Sequence, residues 1–222
     1  MAARALACRR TEIFDAKCVR CPRLARNLAS IRELEPEYWA RPVPSFGVAA
    51  PRILIVGLAP GMHGANRTGR PFTGDFAGIL LYSTLYEFGL ASRPQSLATG
   101  DGLKLRQTRI TNAVKCLPPG NKPLPPEIRT CNSYLAAELE ALPSVRVILA
   151  LGRIAHDSIL LACGLRRGAF AFAHGREHAL GGTRRLLDSY HCSRYNTQTR
   201  RLTVPMFKSV VAQACALAGL GQ

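Results

Sequence analysis

Three groups of residues in this chain combine reactive types with suggestive spacing. The first is cysteine: Cys18 and Cys21 form a C-x2-C pair, and Cys116 and Cys131 are separated by fourteen residues. Thiolates at such spacings ligate metals, and metal binding is a better first expectation than a disulfide framework. The second is the stretch GLAPGMHGANRTGRPFTGDFAG, with glycines at 57, 61, 64, 69, 74 and 78 and Asp75 as its only acid. Glycine lets backbone amides approach a ligand, because no Cβ stands in the way. A connection of about 20 residues between patterned elements is functional or disordered. Its apolar and aromatic content, Phe72 included, argues against disorder. The third group is Asn112 and His191, polar residues at or just after strand-like runs. Asn112 offers a donor and an acceptor together, yet it also suits a strand-end turn.

Positioning these residues requires a frame. Arg52–Val56 is a strand-like run, followed beyond the glycine stretch by a helix over about 75–88. Asp75 precedes that helix directly, where aspartate is a common N-cap. A second strand is expected over 108–114, then a helix from Pro126 to about Leu142. Val145–Leu151 is nearly all apolar, as in a strand buried on both faces of a parallel sheet. A helix to Leu161, two strands around Gly181–Gly182 and a polar loop over 191–201 follow. The last helix runs from Val204 to about Leu217, with Pro205 in its first turn. Near the N-terminus, Leu24, Leu28 and Ile31 share one helical face, so the C-x2-C pair lies at a helix start, where free amides favour thiolate. Trp39, in the loop between, is expected as a buried anchor. Strands alternating with helices imply one domain over 1–222, a three-layer α/β/α sandwich on a mostly parallel sheet. Ligands of such sheets bind at the carboxyl ends of strands, where the glycine stretch, Asn112 and His191 all fall.

Thirty Lys+Arg against fourteen Asp+Glu give a formal charge of +16, which calls for a polyanionic partner. Arginine predominates, and arginine binds phosphate bidentately, so nucleic acid is favoured over a membrane surface. The basic lead over 1–17 lacks the apolar core of a secretion signal, and no apolar run reaches the ~20 residues of a membrane span. The expectation is a cytoplasmic, nucleoid-associated monomer with no membrane contact. No P-loop lysine or dinucleotide fingerprint is present, which argues against a nucleotide cofactor and a small-molecule nucleotide enzyme. A basic nucleic-acid-binding module with a structural metal and no catalysis remains the alternative; it requires neither Asp75 nor His191.

Three segments, GLAPGMHGANRTGRPFTGDFAG (57–78), TNAVKCLPPGNKPLPPE (111–127) and HCSRYNTQTRRLT (191–203), join the cysteine pattern to resemble a known family. It is the uracil-DNA glycosylase superfamily, specifically its iron–sulfur type b (family 5) group. The resemblance implies hydrolysis of the N-glycosidic bond of uracil in DNA, and of other deaminated bases such as hypoxanthine, to start base excision repair. Cys18, Cys21, Cys116 and Cys131 would hold a [4Fe–4S] cluster, with all-cysteine zinc as the alternative. Phe72 would stack on the extruded base, Asn112 would read its edge, and His191 would donate to its O2. Backbone amides of Leu58, Ala59, Gly61 and Met62 would add donors. Asp75 would direct or deprotonate water, unless it only caps the helix. Arg67, Arg70, Arg194, Arg200 and Arg201 are phosphate-contact candidates; Asn196 would order the His191 loop or reach the sugar–phosphate. Two departures stand out: Leu58 replaces the glutamate of the type a GEAPG motif, which fits type b, and Cys192 replaces the proline of the commoner HPS.

Overall fold

Ile53–Gly57 (β2) and Val147–Leu151 (β4) are buried at every position, because both faces of their sheet are covered. The computed structural model describes residues 13–221; Cys8 and most of the basic lead lie outside the described residues. The remaining strands are Phe46–Gly47 (β1), Thr108–Asn112 (β3), Glu177–Ala179 (β5) and Arg185–Ser189 (β6). They form one six-stranded sheet in the order β1-β3-β2-β4-β6-β5. β3, β2, β4 and β6 run parallel, and the short antiparallel β1 and β5 close the two edges.

Alternate residues of β2 face opposite layers. Ile53 and Ile55 join a core with Phe76–Glu87 (α3) and Val204–Leu217 (α7), through Leu81, Leu85, Phe207 and Val211. Leu54 and Val56 join a second core with Pro125–Ala141 (α4) and Arg153–Ala162 (α5), through Leu135, Leu139 and Ile159. These are the three layers expected. The Leu24, Leu28 and Ile31 face of Pro22–Leu34 (α1) is buried as its spacing predicts, beside the residues that follow β3.

After β2 the chain moves to β3 on one side, then crosses to β4 on the other. That reversal opens a crevice at the carboxyl ends of β2 and β4, the place where doubly wound sheets bind ligands. No helix among the described residues is long and apolar enough to cross a membrane.

Several expectations change. β3 ends at Asn112 rather than at 114, although the Ala113 and Val114 amides still reach the carbonyls of Gly57 and Leu58, both at 2.9 Å. The presumed loops contain β1 and two short helices, Ala65–Thr68 (α2) and Arg194–Gln198 (α6), too brief to show a period. Trp39 is not buried: it is 36% exposed, its indole N–H donating to the Pro42 carbonyl at 3.0 Å while its ring covers Gly69.

Candidate active site

The crevice is assembled around a close approach. Gly57, at the tip of β2, pairs in register with Asn112 at the tip of β3. A Cβ at Gly57 would lie 2.5 Å from Asn112 Oδ1 and 2.6 Å from Phe72 Cζ, so only glycine lets these side chains meet. Phe72 sits at a φ of 53°, a costly backbone state for an aromatic residue. Its neighbours hold it there: Tyr82 donates its hydroxyl hydrogen to the Pro71 carbonyl at 2.8 Å, and Thr73 and Ser96 share a hydroxyl hydrogen bond at 2.7 Å. Asn112 is buried, and its Oδ1 has no hydrogen-bond partner. An acceptor left unpaired in a buried site costs roughly 1–3 kcal/mol, a deficit that a bound donor would remove.

Asp75 divides its two oxygens. Oδ1 caps α3 by accepting from the Gly78 amide at 2.8 Å, as the N-cap expectation had it. Oδ2 turns toward the glycine stretch, where a Cβ at Gly64 would meet it at 2.5 Å and one at Gly61 at 4.0 Å. Burial pushes the carboxyl pKa up, with the Gly78 and Ala77 amides opposing. The cap therefore leaves one oxygen free.

His191 follows β6. Its ring centroid lies 5.9 Å from that of Phe72 at 31°, and its Cβ abuts Gly152. Burial brings its pKa down to about 4, so the imidazole is neutral at physiological pH and keeps one N–H to donate. Asn196 Nδ2 donates to the His191 carbonyl at 2.8 Å, a contact that closes the loop on itself. Cys192 is fully buried and points into the core.

Below this loop lies Asp188, on β6 and wholly buried. It accepts from His156 Nδ1 at 2.7 Å, His178 Nε2 at 3.0 Å and the Ala173 amide at 3.3 Å. His156 Nε2 faces the Phe170 carbonyl at 3.0 Å, so both ring nitrogens meet acceptors and the imidazolium form suits the site. Burial lowers the His156 pKa, but the Asp188 carboxylate outweighs it and the net shift is upward.

A pocket of about 420 Å³ brings Leu58, Ala59, Gly61, Phe72, Asp75, Asn112, His191 and Arg194 together. Met62 stands outside it, packed against Leu28, Ile31 and Leu117. The amides of Ala59, Gly61 and Met62 have no acceptor among the described residues. Asn121 and Phe76 also line the pocket. Sequence reading missed both, although Asn121 lies inside the quoted 111–127 motif. An adjoining groove of about 260 Å³ shares Leu58 and His191 and adds Asn196 and Arg201. A larger groove of about 840 Å³ between α4 and α5 meets this adjoining groove at Ile154 and shares no lining residue with the Asn112 pocket.

The arginines separate. Arg70 is no surface phosphate contact: it is 6% exposed, pairs with Asp101 at 2.9 Å, donates to Ser96 Oγ at 3.0 Å and covers the Phe46 ring at 4.5 Å. It fastens the Phe72 loop to the 96–101 turn. Arg67, Arg194, Arg200 and Arg201 are exposed. Arg194 lies over Phe76 at 5.1 Å and Arg201 over Tyr190 at 4.8 Å, while Arg67 Nε donates to the His63 carbonyl at 2.8 Å. Tyr195, next to Arg194 in the chain, is 70% exposed.

Cys18, Cys21, Cys116 and Cys131 line a single cavity with Leu24 and Tyr134. Cys21 is the N-cap of α1, as the C-x2-C placement requires. The helix start does not depress its thiol: burial, with Cys131 and Glu127 nearby, pushes the pKa up. Burial also raises Cys116 and Cys131. Thiols raised in this way, as Cys21, Cys116 and Cys131 are, ionise readily beside a metal cation, which fits a metal-holding donor set. Among the described residues, the ligand atoms of His156, His178 and Asp188 fall within 4.8 Å of one another.

The fold and site define an α/β protein with a small aromatic-floored pocket at the carboxyl ends of parallel strands, set in a basic chain. A profile of the Uracil DNA glycosylase superfamily matches residues 44–215. The chain is 53% identical over 208 residues to the Type-5 uracil-DNA glycosylase of Thermus thermophilus, covering 91% of this chain and 94% of that one. It is 42% identical over 206 residues to the Type-5 uracil-DNA glycosylase of Pyrobaculum aerophilum, covering 91% and 89%. A Type-4 uracil-DNA glycosylase of Archaeoglobus fulgidus matches at 37% over 118 residues, covering 53% and 51%. The chain belongs to the uracil-DNA glycosylase superfamily and aligns with its type-5 members over most of its length.

Proposed function

We propose that this protein hydrolyses the N-glycosidic bond of uracil in DNA. The observation that carries the reading is the buried Oδ1 of Asn112, unpartnered among the described residues, beside Phe72 in a pocket of about 420 Å³, which has room for a base. Uracil N3–H is a donor for Oδ1, and uracil O4 is an acceptor for Nδ2 of the same carboxamide. Phe72 stacks on the extruded base. The bond is inaccessible in a duplex, so the nucleotide is flipped, at a cost of a few kcal/mol that is least for mismatches such as G·U. The exposed Tyr195, next to Arg194 in the chain, would fill the gap left in the stack. Arg194 and Arg201 contact the flanking phosphates.

Cleavage develops positive charge on the sugar and negative charge on the departing base. The neutral His191 donates its N–H to uracil O2, and the unpaired amides of Ala59 and Gly61 support the same oxygen. Asp75 Oδ2 orients the attacking water and offsets the sugar cation, while Oδ1 holds the carboxylate to α3. Hypoxanthine is a second substrate, because Leu58 adds no charged group to the pocket wall.

Cys18, Cys21, Cys116 and Cys131, which line one cavity, would hold a [4Fe–4S] cluster, which takes four thiolates. When bound, the cluster supplies structure, tying α1 and α4 to the segment after Asn112. Purified protein should carry about four irons per chain and a broad absorbance near 400 nm; zinc without iron would overturn this assignment. For the activity, single-turnover reactions on duplexes with U, hypoxanthine or T opposite G are the test. Release of uracil by wild type and a loss of roughly a hundredfold in Asn112→Ala are expected. DNA binding without release of any base would make the protein a binding module instead.

A further inference from the structure

Asn112 has no partner at Oδ1, so its carboxamide takes its orientation from the backbone that carries it. That backbone is held by one buried carboxylate. Glu138, on α4 seven residues beyond Cys131, is 3% exposed. Its Oε2 accepts from Thr111 Oγ1 at 2.8 Å and from Lys115 Nζ at 3.1 Å, and its Oε1 accepts from Arg109 Nε at 3.1 Å. Lys115 Nζ, on a side chain 2% exposed, also donates to Thr111 Oγ1. The Lys115 amide donates to Cys131 Sγ at 3.3 Å, and its carbonyl accepts from the Val43 amide at 2.7 Å. Residues on both sides of Asn112 are thereby tied to one helix, the helix that also bears Cys131.

Burying one ion pair, Lys115 with Glu138, beside the half-buried Arg109 is a weak source of stability; apolar side chains of similar volume often do as well or better. What such a network does supply is a fixed register. We propose that Glu138 is the positioning residue for Asn112, setting through Thr111 and Lys115 the angle at which the carboxamide meets the flipped base. It touches neither substrate nor cysteine sulfur and acts only through that segment. The inference rests on the uracil-excision reading above.

The test is a double-mutant cycle at equal iron content. Glu138→Gln should slow single-turnover uracil excision roughly tenfold or more in the wild-type background. In Asn112→Ala the further loss should be under about twofold, because two residues acting through one another are not additive. Equal losses in both backgrounds, or no loss at all, would overturn the proposal. Should Glu138→Gln fail to fold, the paired change Glu138→Leu with Lys115→Met removes both buried charges together. That protein should melt near the wild-type temperature yet remain slow; a return to full excision would make the network structural only. A readout without catalysis is amide exchange: the paired variant should exchange faster over 111–116 and unchanged over 185–190. Unaltered exchange over 111–116 would reject the proposal even if wild type released no uracil, an outcome that by itself sinks only the earlier reading.

Discussion

The two walls of the pocket are supported by different chemistry. The Asn112 wall rests on Glu138, whose partners are an ammonium, a guanidinium and a hydroxyl. The His191 wall rests on Asp188, whose partners are two imidazoles and an amide. The latter continues through Tyr190, whose N–H is taken by His174 Nδ1 at 3.1 Å and whose ring stacks on His174 at 5.0 Å. Histidine changes charge near neutral pH, so one wall is built to stay as it is and the other responds to protons. The proposed role of Asn112 as base reader calls for one fixed geometry. The His191 loop carries the exposed Arg194, Arg200 and Arg201, the side chains proposed to meet DNA.

The largest effect is expected between the walls, at Asp75. Asp75→Asn should lower single-turnover excision by about a hundredfold or more while changing stability by only about 0.5 kcal/mol, because asparagine caps nearly as well. The carboxyl must be ionised to act and its pKa is raised by burial, so wild-type activity should fall as pH drops through that raised value. The residual activity of Asp75→Asn should lack this limb. His191, at about 4, adds no limb above that pH. A hundredfold loss with the acid limb intact would move the titrating group elsewhere.

Removing each supporting carboxylate comes next and tests the contrast directly. Glu138→Gln leaves Lys115 buried without its counter-charge and should cost about 3–5 kcal/mol. Asp188→Asn should cost less, about 1–3 kcal/mol, because His156 can shed its proton and stay neutral. Denaturant melts of the two variants would show the order; the reverse order would break the comparison.

Proton sensitivity gives a third, smaller effect. The His156 pKa is raised in the fold, so its stabilising contribution is complete below the ordinary value of 6.5 and is lost as pH climbs through the folded value. His174 is shifted the other way, chiefly by burial, and so titrates below this window. Glu138 is held below its ordinary value of 4.5: burial opposes, but Lys115, Ser45 and Thr111 prevail. Its contribution is present above 4.5 and fades only in acid. Raising the pH from 6.5 should therefore speed amide exchange, corrected for its intrinsic pH dependence, over 185–191 and not over 108–115. Equal acceleration in both would erase the distinction.

The smallest effect separates two arginines. Arg194→Ala should reduce the salt dependence of DNA binding by about one unit of slope, whereas Arg70→Ala should leave the slope unchanged and lower the melting temperature. A change of slope with Arg70→Ala would return that residue to the DNA surface.

Much of the site was legible before any coordinates. Gly57, Asp75, Asn112 and His191 stand out because a glycine stretch, a lone acid and polar residues at strand ends remain visible one residue at a time. Strand and helix periods in β2, β4, α1 and α7 gave the layers, since burial on one or both faces dictates which positions are apolar. Brief elements such as β1, α2 and α6 contain no full period, and Arg70 looks like any other loop arginine until Asp101 and Phe46 are seen around it.

By itself, then, the order of residues determined the layered fold, the cysteine set and the polar groups offered to a base, because each depends on residue type and local spacing. Tertiary structure alone decided which carboxylate holds which wall. Glu138 lies 26 residues from Asn112, and His156 lies 32 residues from Asp188. It also decided that Asp75 can cap a helix with one oxygen and face the pocket with the other. Pairing across such separations depends on how helices pack over a twisted sheet, and no local pattern encodes it.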